Sequence, residues 1–228
     1  MPTPAPASRP ATDPDVNPAD YDAWYATPRG RWIGETEYAL VSRLLAPQPG
    51  DSLLDVGCGT GWFTRRAAAD GLVATGLDPN PAWLDYARAH GSPALSWVEG
   101  DARDLPFADA SFDHVLSIAA LCFVDDERQA VAEIVRVARR RFAIGWLNRS
   151  SLLYRQKGRG GGSSAYRGAR WHTAAEVRAL FSGLPVRDLT LRSAIFLPSA
   201  TRSARMLERI VPGVLPWGGM LLAAGEKA

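Results

Sequence analysis

The sequence predicts an α/β fold, a parallel sheet covered by helices on both faces, and three observations predict it. After Pro47-Gln-Pro-Gly50 the 228-residue chain alternates short apolar runs with longer amphipathic ones, the texture of strands separated by helices. The first run, Leu53-Leu-Asp-Val, passes directly into the alternate glycines Gly57, Gly59 and Gly61. Two further runs end in acids, Asp78 and Asp101, which points to the C-terminal edge of a parallel sheet as the place for ligand chemistry.

In chain order, residues 1–18 hold six prolines and almost no large apolar side chain, which predicts a loose tail that cannot offset its ordering entropy. Residues 19–228 are expected to form one domain. Within it, 19–50 reads as a helical cap: Tyr21, Trp24, Tyr25, Trp32, Ile33, Tyr38, Leu40, Val41 and Leu44 recur at near-helical spacing, in two pieces broken around Thr27-Pro-Arg-Gly30. Strands follow at 52–56, 73–78, 96–100, 114–118 and 141–146, with helices over 60–70, 81–90 and 126–139. Residues 148–172 form an insert whose 157–168 portion is rich in glycine and serine; such composition suits a flexible segment, either a lid or a plain surface loop. Thr173-Ala-Ala-Glu176 fits a capping box and starts a helix running to 181. Strands at 187–193 and 220–224, around a helix over 199–211, complete the pattern.

Composition excludes several classes. Hydrophobic residues make up 46% and charged residues 22%, the balance of a globular chain. No apolar run reaches the ~20 residues of a membrane span and the N-terminus has no signal-peptide pattern, so a cytoplasmic location is expected. A net charge of +2 does not suggest a nucleic-acid partner. Cys58 and Cys122 lack CxxC spacing and neighbouring histidines, and no metal site is expected.

The glycine loop carries the chemistry. Glycines accept positive φ and let backbone approach a ligand, while the following helix offers free N–H groups. Dinucleotide enzymes use a related loop, but they need glycine or alanine where this chain has Trp62, because that position packs helix against strand. Asp78, about 20 residues beyond the loop, can accept both hydroxyls of a ribose. Asp101, in Glu99-Gly-Asp-Ala-Arg-Asp104, can accept from an exocyclic amine.

These segments resemble the class I methyltransferases that use S-adenosylmethionine (SAM), in the branch similar to the ubiquinone and menaquinone biosynthesis enzymes (methyltransferase type 11). LLDVGCGTG looks like the first motif, GLDPN the second, and GDARDLPFADASFDHVLS the third with the fourth strand. The resemblance covers roughly residues 51–147. It implies a Rossmann-like sandwich with seven strands, mostly parallel, the last antiparallel. It further implies SAM as cofactor, with Gly57, Gly59 and Gly61 along the methionyl group, Asp78 at the ribose, Asp101 at the adenine amine with Ala102 beside it, Ser117 and Ile118 passing the methionyl end, and Asp55, Cys58 and Pro79 among the cofactor-binding residues. Relatives often carry a Pro-Gly-Gly turn before the fifth strand. This chain reads Val137-Ala-Arg-Arg-Arg-Phe142 there, and the three arginines are expected at a helix C-terminus, where cations favour the dipole.

Methyl transfer from a sulfonium is an in-line displacement that mainly needs alignment and desolvation. The resemblance places over the strand ends the segments that hold the pocket candidates Tyr21, Trp24, Tyr25, Arg31, Trp32, Tyr154, Tyr166, Trp171 and His172; aromatic walls suit a sulfonium cation and an apolar acceptor, and packing a helix onto the sheet is the alternative role of Trp24 and Trp32. Tyr25 and Arg31 are expected to touch the cofactor, and Tyr25 is also a catalytic candidate. His172 is the candidate base; capping or packing a helix end is its alternative role. The fourth strand ends in Ser117-Ile-Ala-Ala120, not the Pro-Pro-aromatic cluster used for planar amides, so the acceptor is expected to be a small molecule. A non-catalytic SAM-binding scaffold is the rival reading.

Overall fold

The computed structural model describes residues 16–159 and 164–228. Seven strands form one sheet in the order β3-β2-β1-β4-β5-β7-β6. They are β1 (Ser52–Val56), β2 (Val73–Asp78), β3 (Ser96–Glu99), β4 (Phe112–Ile118), β5 (Ala138–Leu147), β6 (Val186–Ala194) and β7 (Met220–Lys227). β1 to β5 pair in parallel, whereas β7 runs antiparallel to both β5 and β6. This is the seven-stranded, mostly parallel arrangement expected from the motifs. Its strand order reverses between β1 and β4, and an open α/β sheet parts its connecting loops at such a point.

Side-chain alternation along the strands builds two cores. Phe142, Ile144 and Trp146 of β5 enter one cluster with Val131, Ile134 and Val135 of α5 (Glu127–Val137) and Val177 of α6 (Ala174–Leu180). Ala143 turns to the other, which holds Ile33, Leu40 and Val41 of α2 (Pro28–Leu45) and Phe63 and Ala67 of α3 (Trp62–Ala69). The period of two along each strand dictates this split.

Local chemistry sets the helix ends. α1 (Pro18–Ala26) starts at Asn17, whose side chain caps Ala19 N–H, and stops at Thr27. Thr27 then caps α2 by accepting from Gly30 N–H, with Pro28 in the first helical turn. The expected break at 27–30 is thus a single capping residue. A Cβ on Gly30 would lie 2.0 Å from the Trp24 carbonyl oxygen, so glycine lets the two helices fold against each other. α4 (Pro81–His90) is capped by Asn80, and Thr173 and Glu176 make both halves of the capping box of α6. α7 (Arg202–Ile210) follows the cap Thr201.

Three expectations need correction. The helix expected from residue 60 starts at Trp62, because Gly59 and Gly61 hold positive φ. The helix expected to reach 139 ends at Val137; Ala138 is extended and already pairs with Phe112. Arg139, Arg140 and Arg141 are therefore not helix-terminal cations but the first residues of β5. They pair with Asp113 (2.9 Å), Asp51 (3.1 Å) and Glu226 (2.8 Å).

Most of the expected proline-rich tail, residues 1–15, lies outside the described residues, and so do residues 160–163 of the glycine-rich segment. The described flanks of that insert are joined by hydrogen bonds. Arg149 N–H donates to the His172 carbonyl (2.8 Å) and His172 N–H to that of Leu147 (2.9 Å). No helix among the described residues is long and apolar enough to cross a membrane.

Candidate functional site

A cavity of about 680 Å3 opens above the C-terminal ends of β1, β2 and β4, within the size range of small-molecule sites. Its floor is the loop after β1. Gly57 and Cys58 both donate backbone N–H to the Leu77 carbonyl of β2, at 2.7 and 3.0 Å, which bends the loop over the sheet edge. Gly57 has φ +74° and Gly59 φ +55°, conformations in which L side chains are strained. A Cβ on Gly57 would also sit 2.3 Å from the Ala120 Cβ.

Asp78 ends β2 at the cavity wall and is 7% exposed. One carboxylate oxygen accepts from Gly59 N–H and the other from Asn80 N–H, each at 2.9 Å. Each oxygen keeps a further acceptor position, since a carboxylate offers about four. Burial raises its pKa; the two backbone donors oppose this.

Asp55, on β1, is 2% exposed and takes a 2.7 Å hydrogen bond from Thr64 Oγ1. Burial, only partly offset by that bond, pushes its carboxyl up to about 7. Asp101 is gripped by Arg103, whose Nη2 lies 2.6 Å from one oxygen and whose backbone N–H donates to the other at 2.9 Å. That guanidinium holds Asp101 below the usual carboxylate range. Pro79, Ala102 and Ile118 join the lining beside these acids.

The opposite wall is aromatic. Tyr25 stacks on Trp62 with ring centres 4.7 Å apart, and Tyr21 meets Trp83 edge-on at 5.0 Å. Trp24 and Tyr166 complete it. Burial raises the pKa of Tyr21 and of Tyr25, so both phenols stay protonated. Glu37 adds an acid next to this cluster; burial first, then Glu208, pushes its carboxyl up to about 8.

The expected site residues divide accordingly. Asp55, Gly57, Cys58, Gly59, Asp78, Pro79, Asp101, Ala102, Ile118, Tyr21, Trp24, Tyr25 and Tyr166 come together on one cavity. Gly61 does not line it. A Cβ there would meet the Trp97 ring at 2.3 Å, so this glycine serves packing between α3 and β3. Ser117 is fully buried within β4 and only its neighbour Ile118 reaches the cavity. Arg31 points to solvent from α2, whereas Arg29, two residues earlier, lines the cavity and donates from Nε to the Pro198 carbonyl at 2.7 Å. Trp32 lies under the Arg205 guanidinium, away from the lining.

His172, Trp171 and Tyr154 border a separate depression behind β5. His172 Nε2 there sits 2.8 Å from Glu127 Oε2, and its backbone bridges to Asn148. The contact ties the insert to the start of α5 and leaves His172 outside the cavity lining. Trp62, Trp83 and Arg103 were missed as lining residues. Helical phase from Trp62 and Pro81 could have pointed to the two tryptophans.

Residues 54–141 match the methyltransferase domain family. An uncharacterized protein of Mycobacterium tuberculosis is 37% identical over 191 residues, 79% of this chain and 62% of its own length. The chain thus spans less than two thirds of that relative. A malonyl-[acyl-carrier protein] O-methyltransferase of Erwinia pyrifoliae is 42% identical over 94 residues, 40% of this chain and 36% of that protein. Among solved structures, a SAM-dependent methyltransferase from Thermotoga maritima superposes with a TM-score of 0.71 at 22% identity, covering 92% of this chain and 95% of its own. At that identity the likeness concerns the fold alone.

Proposed function

We propose that this chain, whose residues 54–141 match the methyltransferase domain family, is a class I SAM-dependent methyltransferase of the type 11 branch and that it methylates a small-molecule acceptor bound against the aromatic wall. The observation that carries the proposal is the convergence of the glycine loop, Asp78 and Asp101 on one cavity that also holds Tyr21, Tyr25 and Trp24. The residues fit SAM: the space that a Cβ on Gly57 or Gly59 would narrow lets backbone approach the ligand, and the acids on successive strand ends match its hydroxyls and amines. SAM supplies an electrophilic methyl group on a sulfonium.

The chain's own residues position and desolvate. Asp78 keeps acceptor positions for a ribose, and Asp101, fixed by Arg103, presents a preset carboxylate at the far end. Asp55 offers a carboxylate near the cationic end of the ligand. The rings of Tyr25, Trp62 and Trp24 exclude water and favour a cation. Holding reactants aligned in this way supplies on the order of 7–11 kcal/mol, so transfer to a good nucleophile needs no dedicated base.

Calorimetry with SAM and with NAD, side by side, tests the cofactor half; labelled-methyl transfer into fractionated small-molecule pools tests the acceptor half. SAM binding and a labelled product are expected. NAD binding without SAM binding would overturn the reading, and SAM binding with no labelled product from any pool would favour the scaffold reading. Because His172 lies outside the cavity, His172→Gln should leave SAM affinity and turnover within about twofold of wild type. Its cost should appear in the melting temperature instead, at roughly 0.5–3 kcal/mol for a broken buried contact.

A further inference from the structure

We propose that α7 and the loop after it form an interfacial anchor that docks the protein on an anionic lipid surface. Five of the seven large hydrophobic side chains exposed among the described residues fall within 206–217. Met206, Ile210, Val214 and Trp217 are between 58% and 68% exposed, and Leu207 is 37% exposed. Scattered exposed apolar residues need no explanation, but this concentration in one short stretch does.

The geometry of α7 explains how they come to be exposed. Ala204 is its buried residue. Glu208 also turns inward, its two oxygens accepting from Ile195 N–H at 2.8 Å and Phe196 N–H at 2.9 Å. At 100° per residue, Met206 and Ile210 lie opposite that inner face, with Arg202, Arg205 and Arg209 along one flank. Among the described residues no carboxylate pairs with these arginines. Arg205 instead donates to the carbonyls of Ala200 and Pro28. The acid of the helix is thus consumed by the fold while its cations and apolar side chains face outward.

A protruding apolar stripe beside a row of arginines, with a tryptophan close by, suits the boundary between acyl chains and anionic headgroups. It does not suit a second copy of the chain. Glu208 is the one carboxylate in 202–217 and is already engaged, so a two-fold contact of this patch would bring arginines together with no acid to pair them. The surface also adjoins the cavity, since Arg205 holds Pro28 and cavity-lining Arg29 holds Pro198. Docking there brings the α1–α2 junction to the bilayer.

The test is co-sedimentation of the full chain with phosphatidylcholine vesicles, with and without phosphatidylglycerol, over a salt series. Wild type should partition onto the phosphatidylglycerol vesicles, less so as salt rises, and weakly onto neutral ones. Ile210→Ser with Trp217→Ser should lower partitioning by at least roughly tenfold, with melting temperature and SAM affinity unchanged. Arg202→Gln with Arg209→Gln should lower it about 30-fold, since each lost cation is worth about fivefold. No partitioning of the wild type, undiminished partitioning of either double variant, or a self-associated wild type that the Ile210→Ser, Trp217→Ser change dissociates would each overturn the proposal.

Discussion

Asp78→Ala should lower the affinity for SAM by roughly 100-fold or more. In the proposed site the substitution removes two acceptor positions for ribose hydroxyls, and a hydrogen bond to a charged group is worth about 1.5–3 kcal/mol. A tenfold change in affinity needs about 1.4 kcal/mol, so two such bonds reach at least two orders of magnitude. Part of the effect acts through the protein, because the same carboxylate holds Gly59 N–H and Asn80 N–H at 2.9 Å. Asp78→Asn keeps one oxygen as acceptor and should retain more of the affinity. Calorimetric titration together with the SAM-induced rise in melting temperature separates ligand from fold. An alanine variant with wild-type affinity would remove Asp78 from the ribose site.

The second large effect has opposite signs for stability and binding. Asp55→Asn should raise the melting temperature of the ligand-free protein while weakening SAM binding by roughly tenfold. Burial holds the Asp55 carboxyl at about 7, against an ordinary value of 3.8. As pH rises from about 4 to about 7 the unfolded chain ionises this group while the folded chain keeps it protonated. Stability is therefore withdrawn across that window and the loss is complete above it. Asparagine is uncharged and still accepts from Thr64. Its advantage should be small near pH 4 and on the order of a few kcal/mol at pH 8. Melting curves at pH 4.5 and 8 decide the matter, and an identical gain at both would show that desolvation of the carboxylate is not the cause.

What the sequence revealed about this protein was mostly local. The turn after β1, the acid ending β2 and the capping box at Thr173 are each specified by residues within a few positions of one another, and the structure places them as expected. The start of β5 was not legible in that way. Ala138 belongs to a strand because Phe112 is its partner, and Arg139 to Arg141 meet Asp113, Asp51 and Glu226, acids distant in sequence. A single-residue pattern sees three arginines after an amphipathic run and reads a helix end.

The glycines show a subtler limit. Gly57 and Gly61 look alike in the motif, yet one clears space at the cavity and the other makes room for Trp97, a residue 36 positions further on. Arg29 and Arg31 likewise differ only in helical phase. The start of α2 is fixed by the Thr27 cap, and an error of two positions turns a side chain from cavity to solvent. His172 was read from its neighbourhood in the chain, whereas its neighbour in space is Glu127.

The arginine-to-acid contacts at the start of β5 sit at the foot of the parallel strands, beside Asp51 before β1 and Asp113 in β4. The cavity lies at the other end, a strand of five residues away along β1, roughly 17 Å. That separation is about twice the distance over which exposed charges feel each other in physiological salt. Exposed charges at the foot are therefore largely screened from the mouth, so recharging that surface should change the potential at the cavity little.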